Sequence, residues 1–451
     1  QYFELYKQRL QKLRPSLKDT IKDKWGQNTK ICRYILDCEN STRDEVAIIG
    51  TLFKDMKYKP NALDEEEEEE EEEDDNDTEM NGSKCIDDDQ KMNGDLSKLI
   101  GSKISNSDFL VLEDENGSIK ITGKCFKKHK LVTGIIVAIK GTINRKNGYF
   151  IGTDYLLCGL PSIQPIPSYG PSTNNKYVAL ISGLEISNMI KSKLDKDNNN
   201  KHCIAIRLLF DYLCGYSSNN ADDTDLSSKI CRAIFAGNII SQELPDEDES
   251  IFYDNNFKKT QEATINSLDQ RLKELDLMIA QLSSTCVVDI MPGFLDPSDQ
   301  SLPQQAFHRC LFPMSSSIST FKRVTNPYKV TVDGREFLGT SGQNFHDMMK
   351  YSQLNMIETM ELSLKSRIIA PTAPDTLACF PFKINDPFLI NKCPHVYFSG
   401  NNDKFRYKNI IHPNDNKTKI CLIQIPSFIK TKQIVLFNLN TMTPEIMQFG
   451  F

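Results

Sequence analysis

The stretch Cys286–Pro297, CVVDIMPGFLDP, decides how the rest of the chain is read. Cys286 to Ile290 reads as a short buried strand, and Met291 leads it into Pro292-Gly293, a turn signal. Asp296 follows just past the turn. Open α/β sheets bind ligands in the crevice outside the carboxyl ends of their strands, so a strand running into a glycine loop marks a candidate site. A working site would place polar side chains there, yet this loop carries Phe294 and Leu295. It reads as a site or as the remains of one.

The region around that stretch has a layered rhythm. Lys258 to Leu282 precedes it as the clearest helix of the chain, with Ile265, Leu268, Leu272, Leu275, Ile279 and Leu282 at alternating spacings of three and four. KYVALISGLEI from Lys176 and CRAIFAGNII from Cys231 are apolar strands ending in glycine loops, with the apolar segment KHCIAIRLLFDYLCGY between them. Strand and helix in alternation predict a βαβ layered domain. Later strands are expected at Tyr328–Val332, Arg335–Gly339, Val396–Ser399, Ile420–Ile425 and Gln433–Asn438, and a helix over Phe345–Leu364. The Asn-rich spacers read as expanded surface loops.

Toward the amino terminus the period changes. Glu45–Gly159 offers five strands, EVAIIGTLF, DFLVLED, SIKITG, LVTGIIVAIKGTI and YFIGTDYLL, with turn signals at Glu115-Asn116-Gly117 and Lys146-Asn147-Gly148. Five strands with a long first connection suit a small Greek-key barrel of the OB type. That connection holds an unbroken acidic run, Asp64–Asp75, extended by Asp77 and Glu79. Like charges in a block bury too little apolar surface to order themselves, so a disordered insertion is expected near 60–107. The run also explains the net charge of −7; without it the remainder is mildly basic, which is weak evidence for nucleic acid. Barrels of this type bind single strands through exposed aromatics, and Phe53, Phe109, Tyr149 and Phe150 are few. A protein-binding or structural barrel is the stronger reading, with direct single-strand binding the weaker one.

Before the barrel, Phe3, Tyr6, Leu10, Leu13 and Leu17 recur at helical spacing, and Pro15 predicts a break into two short helices. After it, PSIQPIPSYGP (Pro161–Pro171) reads as a stiff linker. The expected domains are N-terminal helices over 1–40, the OB fold over 41–165 and a third region over 166–451. A chain of 451 residues accommodates them.

Other classes find no support in the composition. There is no apolar run of about 18 residues, so no membrane-spanning helix or membrane partner is expected. QYFELYKQRLQKLRP is charged and amphipathic, unlike a signal peptide, and a start at Gln1 suggests a trimmed piece of a longer chain. There are thirteen cysteines, most of them inside apolar strings, without any C-x-x-C pair. They read as free thiols in a reducing compartment, with zinc denied its close-spaced ligands. The six histidines are widely spaced, and no nucleophile–base pair stands at local spacing.

The order of strand-to-loop junctions carries a resemblance. They are Ile181–Glu185, Phe235–Asn238, Met291–Asp296, Leu338–Asn344 and Phe398–Asn401. This order resembles the calcineurin-like metallophosphoesterases, whose Asp, His and Asn loop side chains hold two metal ions that activate water. The resemblance aligns Gly183 and Glu185 with the family's D-x-H, and Asn238 and Ser241 with the Asp pair of G-D-x-x-D. Phe294 and Leu295 replace Asn and His while Asp296 is kept, Ser341 replaces a His, and Asn401 and Asp403 replace the final His pair. These positions define a degenerate former site with no metal or other cofactor, and with Phe294 and Leu295 filling its cavity. Asp296 is expected to accept hydrogen bonds from loop amides.

Longer strings narrow the resemblance. MPGFLDPSDQSLPQQAFH (Met291–His308), VTNPY (Val324–Tyr328), FLGTSGQN (Phe337–Asn344), PTAPDTLACFPF (Pro371–Phe382) and CPHVYFSGN (Cys393–Asn401) are similar to the non-catalytic B-type subunits of replicative DNA polymerases, in particular those of DNA polymerase delta. VAIIGTLFKDM (Val46–Met56) and KLVTG (Lys130–Gly134) agree. The resemblance implies an OB barrel joined to an inactivated calcineurin-like β-sandwich with flanking helices, α/β and all-β in class. It implies a nuclear scaffold in DNA replication and repair, without enzymatic activity. Its partners would be the cysteine-rich C-terminal domain of the catalytic subunit and a third accessory subunit. The polymerase zeta catalytic subunit would be a further partner, and the sliding clamp and DNA would associate indirectly.

Apolar segments FPMSSS, CFPFKINDPFLI and FLDP are candidates for such interfaces. The alternative is an active metal-dependent phosphoesterase or nuclease with displaced ligands, drawn from Asp289, Asp296, Asp386, Asp403, His308, His395 and His412.

Overall fold

The computed structural model describes residues 2–40, 45–56, 108–166, 175–186, 196–216, 226–240, 255–413 and 415–450. The acidic run and its expected disorder lie outside these residues, as does Ser241. The chain forms two compact units, Gln1–Ser162 with Asn344–Cys393, and Ile163–Gln343 with Pro394–Phe451.

The first unit is built on a closed barrel of β1 (Val46–Asp55), β2 (Phe109–Glu113), β3 (Ser118–Thr122), β4 (Ile136–Asn144) and β5 (Tyr149–Leu157), ordered β1-β2-β3-β5-β4. Neighbours are antiparallel except β3 and β5, which pair in parallel at Ile121 and Phe150. Alternation puts Ile48, Leu52, Leu110, Leu112, Ile119, Ile121, Val137, Ile139 and Phe150 inside. The expected turns form as their residues dictate. Asp114 Oδ1 accepts from the Asn116 and Gly117 amides, and Gly148 takes φ +72°.

Helix α1 (Phe3–Trp25) runs through Pro15 without ending, so the expected pair of short helices is one helix. Leu5, Leu10, Leu13, Leu17 and Ile21 are buried on both sides of the proline, and the helix packs against β1, β4 and β5. Burial of about 1.5–3 kcal/mol per side chain outweighs the roughly 3 kcal/mol penalty of one interior proline.

Asn344–Cys393 clusters with this barrel unit and not with the 166–451 region expected from sequence. The reason is a set of buried polar ties. Arg9, 0% exposed, donates from Nε to Asp386 Oδ2 at 2.7 Å and from Nη1 to the Ala373 carbonyl at 2.6 Å. Lys54 Nζ donates to the Tyr351 carbonyl at 2.6 Å. Arg367 donates to the carbonyls of Cys158, Gly159 and Leu160 and to Ser16 Oγ. The single helix expected over Phe345–Leu364 is two, α4 (Gln343–Lys350) and α5 (Met356–Ser366). Asn355 starts the second with a reciprocal capping box to Glu358, a polar signal that apolar periodicity does not carry.

The second unit is a β-sandwich. One sheet has the order β16-β15-β6-β7-β8-β9, with β6 Tyr177–Ile181, β7 Ile230–Ala236, β8 Val287–Met291, β9 Phe321–Arg323, β15 Gln433–Asn438 and β16 Thr443–Gln448. The other has the order β10-β11-β12-β14-β13, with β10 Tyr328–Val332, β11 Arg335–Thr340, β12 Val396–Asn402, β13 Arg406–His412 and β14 Asp415–Pro426. Val178, Leu180, Ile234, Met291 and Phe437 of the first meet Phe337, Val396, Phe398, Ile423 and Ile425 of the second. The other face of the six-stranded sheet is covered by α2 (Lys196–Leu213) and α3 (Asn255–Thr285), through Leu209, Phe210, Leu275, Ile279 and Leu282. β9, β13 and β16 carry too little apolar alternation to be expected from sequence; β13 is exposed over most of its length.

Candidate functional site

Strands β6, β7 and β8 run parallel, as do β11 and β12, and glycine loops leave their carboxyl ends. The loops meet almost backbone to backbone. A Cβ on Gly237 (φ +85°) would lie 2.5 Å from Ser341 Cβ and 2.8 Å from Gly293 Cα. One on Gly293 would lie 2.2 Å from Asn238 Oδ1, and one on Gly183 (φ +64°) 2.3 Å from Ser427 Oγ. Only glycine fits such approaches, and at Gly183 and Gly237 the positive φ requires it as well.

Asp296 sits at the centre of the junction and is 2% exposed. Its Oδ1 accepts from the amides of Ile239 at 2.8 Å and Ile240 at 2.7 Å, and its Oδ2 from Gly293 at 2.8 Å. A carboxylate with three amide donors ties the β7 loop to the β8 loop and has little capacity left for a cation. Asn238, in the left-handed region at φ +52°, supports the same tie by accepting from the Leu295 amide at 3.2 Å.

The rest of the junction is a lattice of neutral amides and hydroxyls. Gln304 and Asn326, almost fully buried, exchange backbone hydrogen bonds, and Asn326 Nδ2 donates to Gln304 Oε1 at 2.7 Å. Asn326 Nδ2 also donates to Ser341 Oγ at 2.9 Å, and Gln304 Nε2 to the Gly293 carbonyl at 3.0 Å. Gln343 joins through Ser341 Oγ and Gln304 Oε1. Asn401 (φ +57°) donates from Nδ2 to the Ser341 carbonyl at 2.8 Å, and its backbone amide donates to the Ser182 hydroxyl. Sequence does not point to Gln304, Asn326, Gln343 or Ser182, because nothing in a lone amide or hydroxyl marks it as part of a lattice.

The remaining expected positions are placed differently. Glu185, at φ +45°, donates its amide to the Asn238 carbonyl at 3.1 Å. Phe294 is 50% exposed and points to solvent, so it does not fill the cavity as expected; the close glycine backbones and the amide lattice occupy the junction instead. Leu295 is half-buried. Asp403 lies on the surface, 2.8 Å from Lys430.

The side chains considered for a displaced site are dispersed. Asp289, 0% exposed, accepts from Arg232 and from the Tyr328 hydroxyl at 2.9 Å. Burial and then that carboxylate raise the Tyr328 pKa. Asp386 belongs to the barrel unit, paired with Arg9. His395 accepts the Glu336 amide at Nδ1 and meets the Gln164 carbonyl at Nε2, and burial lowers its pKa. His308 caps a short 3-10 turn, and His412 is buried. Among the described residues no three His, Cys, Asp or Glu side chains lie close enough to hold a metal ion.

Near the β6 end, His202 of α2 meets the Leu184 carbonyl at 2.9 Å through Nε2, which therefore carries the proton. Its Nδ1 accepts from Lys432 Nζ at 2.7 Å. Burial, and then the Lys432 charge, lower the His202 pKa to about 4.

Comparison with known proteins agrees with this architecture. Residues 1–155 match the family model for the DNA polymerase delta subunit OB-fold domain, and residues 178–407 match that for the B subunit of DNA polymerase alpha/epsilon. The DNA polymerase delta small subunit of Arabidopsis thaliana is 35% identical over 100% of this chain and 91% of its own length. The DNA polymerase delta subunit 2 of Drosophila melanogaster is 30% identical over 100% of this chain and 93% of its own. The small subunit of Saccharomyces cerevisiae is 29% identical over 99% and 89%. With both units matched and identity at this level along the full chain, the chain belongs to the family of DNA polymerase delta small subunits.

Proposed function

We propose that this chain is the non-catalytic scaffold subunit of DNA polymerase delta. It joins the cysteine-rich C-terminal domain of the catalytic subunit to the third accessory subunit in nuclear DNA replication and repair. The polymerase zeta catalytic subunit is a further partner, and the sliding clamp and DNA are met only through the assembly. The domains expected from sequence serve this role, with Asn344–Cys393 grouped with the barrel unit and one helix in place of the two expected before it.

The observation that carries the non-catalytic part is the state of the strand-end junction. Gly183, Glu185, Asn238, Phe294, Leu295, Asp296, Ser341, Asn401 and Asp403 are read as positions of a former site, with Ser241 assigned to it from sequence alone. Asp296 is committed to three backbone amides, and the neighbouring groups are neutral amides and hydroxyls. Divalent ions bind through several anionic or imidazole ligands, and two would need a set this junction does not offer.

Co-purification of the full chain with the catalytic subunit's C-terminal domain, followed by crosslink mapping, tests the scaffold role; a stable complex is expected. A phosphodiesterase assay with added manganese tests the rest. No turnover is expected, and turnover abolished by Asp296→Ala would overturn the reading.

A further inference from the structure

The groove between α1 and the outer wall of the barrel is lined entirely by residues of the first unit. It has a volume of about 230 Å³ and is lined by Phe3, Tyr6, Leu10, Thr51, Phe53 and Glu113 among others. That is below the 300–1,000 Å³ typical of small-molecule pockets and suits an anchoring side chain of a protein partner. Phe3 at its mouth is 59% exposed, an apolar ring left in solvent at the start of a helix whose leucines and isoleucine are buried.

The rim has a sign. Glu113, Asp114 and Glu115 stand along one side. Asp114 is committed to the amides of Ile35, Asn116 and Gly117, and Glu115 accepts from Gln11. Glu113 is exposed and makes no salt bridge among the described residues. Lys7, the lining cation, is turned to Glu4 at 3.8 Å and lies over the Phe3 ring. An apolar floor beside a carboxylate that makes no salt bridge among the described residues suits a large apolar side chain with an arginine or lysine next to it, and it disfavours a phosphate backbone.

We infer that the α1–barrel groove docks a segment of a partner protein that presents a large apolar residue beside a basic one. The inference rests on the scaffold reading above, and the partner segment belongs to another subunit of the polymerase. The same carboxylates disfavour single-stranded nucleic acid on this wall.

The test uses the full chain and overlapping 15-residue fluorescent peptides covering the catalytic and third subunits. Peptides that bind should contain a large apolar residue within a few positions of an arginine or lysine, and should weaken as salt rises. Glu113→Lys, Phe3→Asp and Thr51→Trp, which fills the groove, should each reduce binding by roughly tenfold or more. Unchanged thermal unfolding would show that the variants fold, and Phe3→Asp alters only an exposed position should Thr51→Trp fail to fold.

If no peptide binds, if those that bind are acidic, or if the three variants bind as the wild type does, the inference falls. Binding of single-stranded DNA that Glu113→Lys leaves unchanged would also overturn it. A wild-type chain that co-purifies with the other subunits while the peptides fail would overturn the groove and leave the scaffold standing. A wild-type chain that co-purifies with neither would overturn both.

Discussion

Two loop systems in this molecule are each pinned by a buried carboxylate, and they are pinned differently. In the sandwich unit Asp296 is held by hydrogen bonds from three backbone amides of the loops it joins. In the barrel unit Asp386 is neutralised by the guanidinium of Arg9, 377 residues away in sequence. Amide dipoles are fixed by the strands that carry them, so the Asp296 tie adds to a junction already set by glycine contacts. A guanidinium brings a full charge out of water, so the Arg9 tie holds the 371–388 stretch only while both partners are present. The first arrangement closes a junction, and the second attaches a distant segment.

The largest effect should come from breaking the charged tie. Arg9→Met leaves Asp386 buried and unpaired and should destabilise the barrel unit by about 3–5 kcal/mol. The chain's single tryptophan, Trp25, lies in α1 and reports that unit in a urea titration. Arg9→Met combined with Asp386→Leu should recover most of the loss, and failure to recover would mean the pair is not the anchor described.

The sandwich unit also holds a buried imidazole, His202, and its effect is read through pH. Unfolded, His202 takes up a proton as pH falls through about 6.5; folded, with Lys432 facing it and Glu185 beyond, it does so only near 4. The unfolded state binds more protons between these values, so stability is full above pH 6.5 and is lost as pH falls toward 4. The shift corresponds to on the order of 3 kcal/mol. A His202→Gln variant should lose that slope in denaturation curves across about pH 4–7.

Asp296→Ala should come next, at about 1–3 kcal/mol for orphaned buried amide donors. Hydrogen exchange at the amides of Ile239, Ile240 and Gly293 reads it locally, and unchanged protection there would remove Asp296 from the account. Phe294→Ala should be the smallest, within about 0.5 kcal/mol of wild type, because the ring is half in solvent. A loss of several kcal/mol would restore the cavity-filling role that sequence suggested for it.

The legible parts of the fold were those with local signals. Alternation and glycine turns marked all five barrel strands, and the stripe from Ile265 to Leu282 marked α3. Asp296 was identifiable because an acid just past a strand-end glycine turn has loop amides within reach. The sheet edges β9, β13 and β16 were not legible, since an exposed strand needs no apolar face. Nor was the amide lattice, because Gln304 and Asn326 meet only when two separate loops converge.

By itself the sequence determined most of the strand and helix inventory of both units and the family likeness. These follow from side-chain period, turn chemistry and long unusual strings, all carried within short stretches of chain. Only the tertiary structure decided that α1 passes through Pro15, that Asn344–Cys393 packs with the barrel, and that Phe294 faces solvent. Each of these depends on what a residue meets across the fold: apolar burial outweighing a local helix penalty, a guanidinium finding a distant carboxylate, and glycine backbones closing a junction before a side chain can enter it.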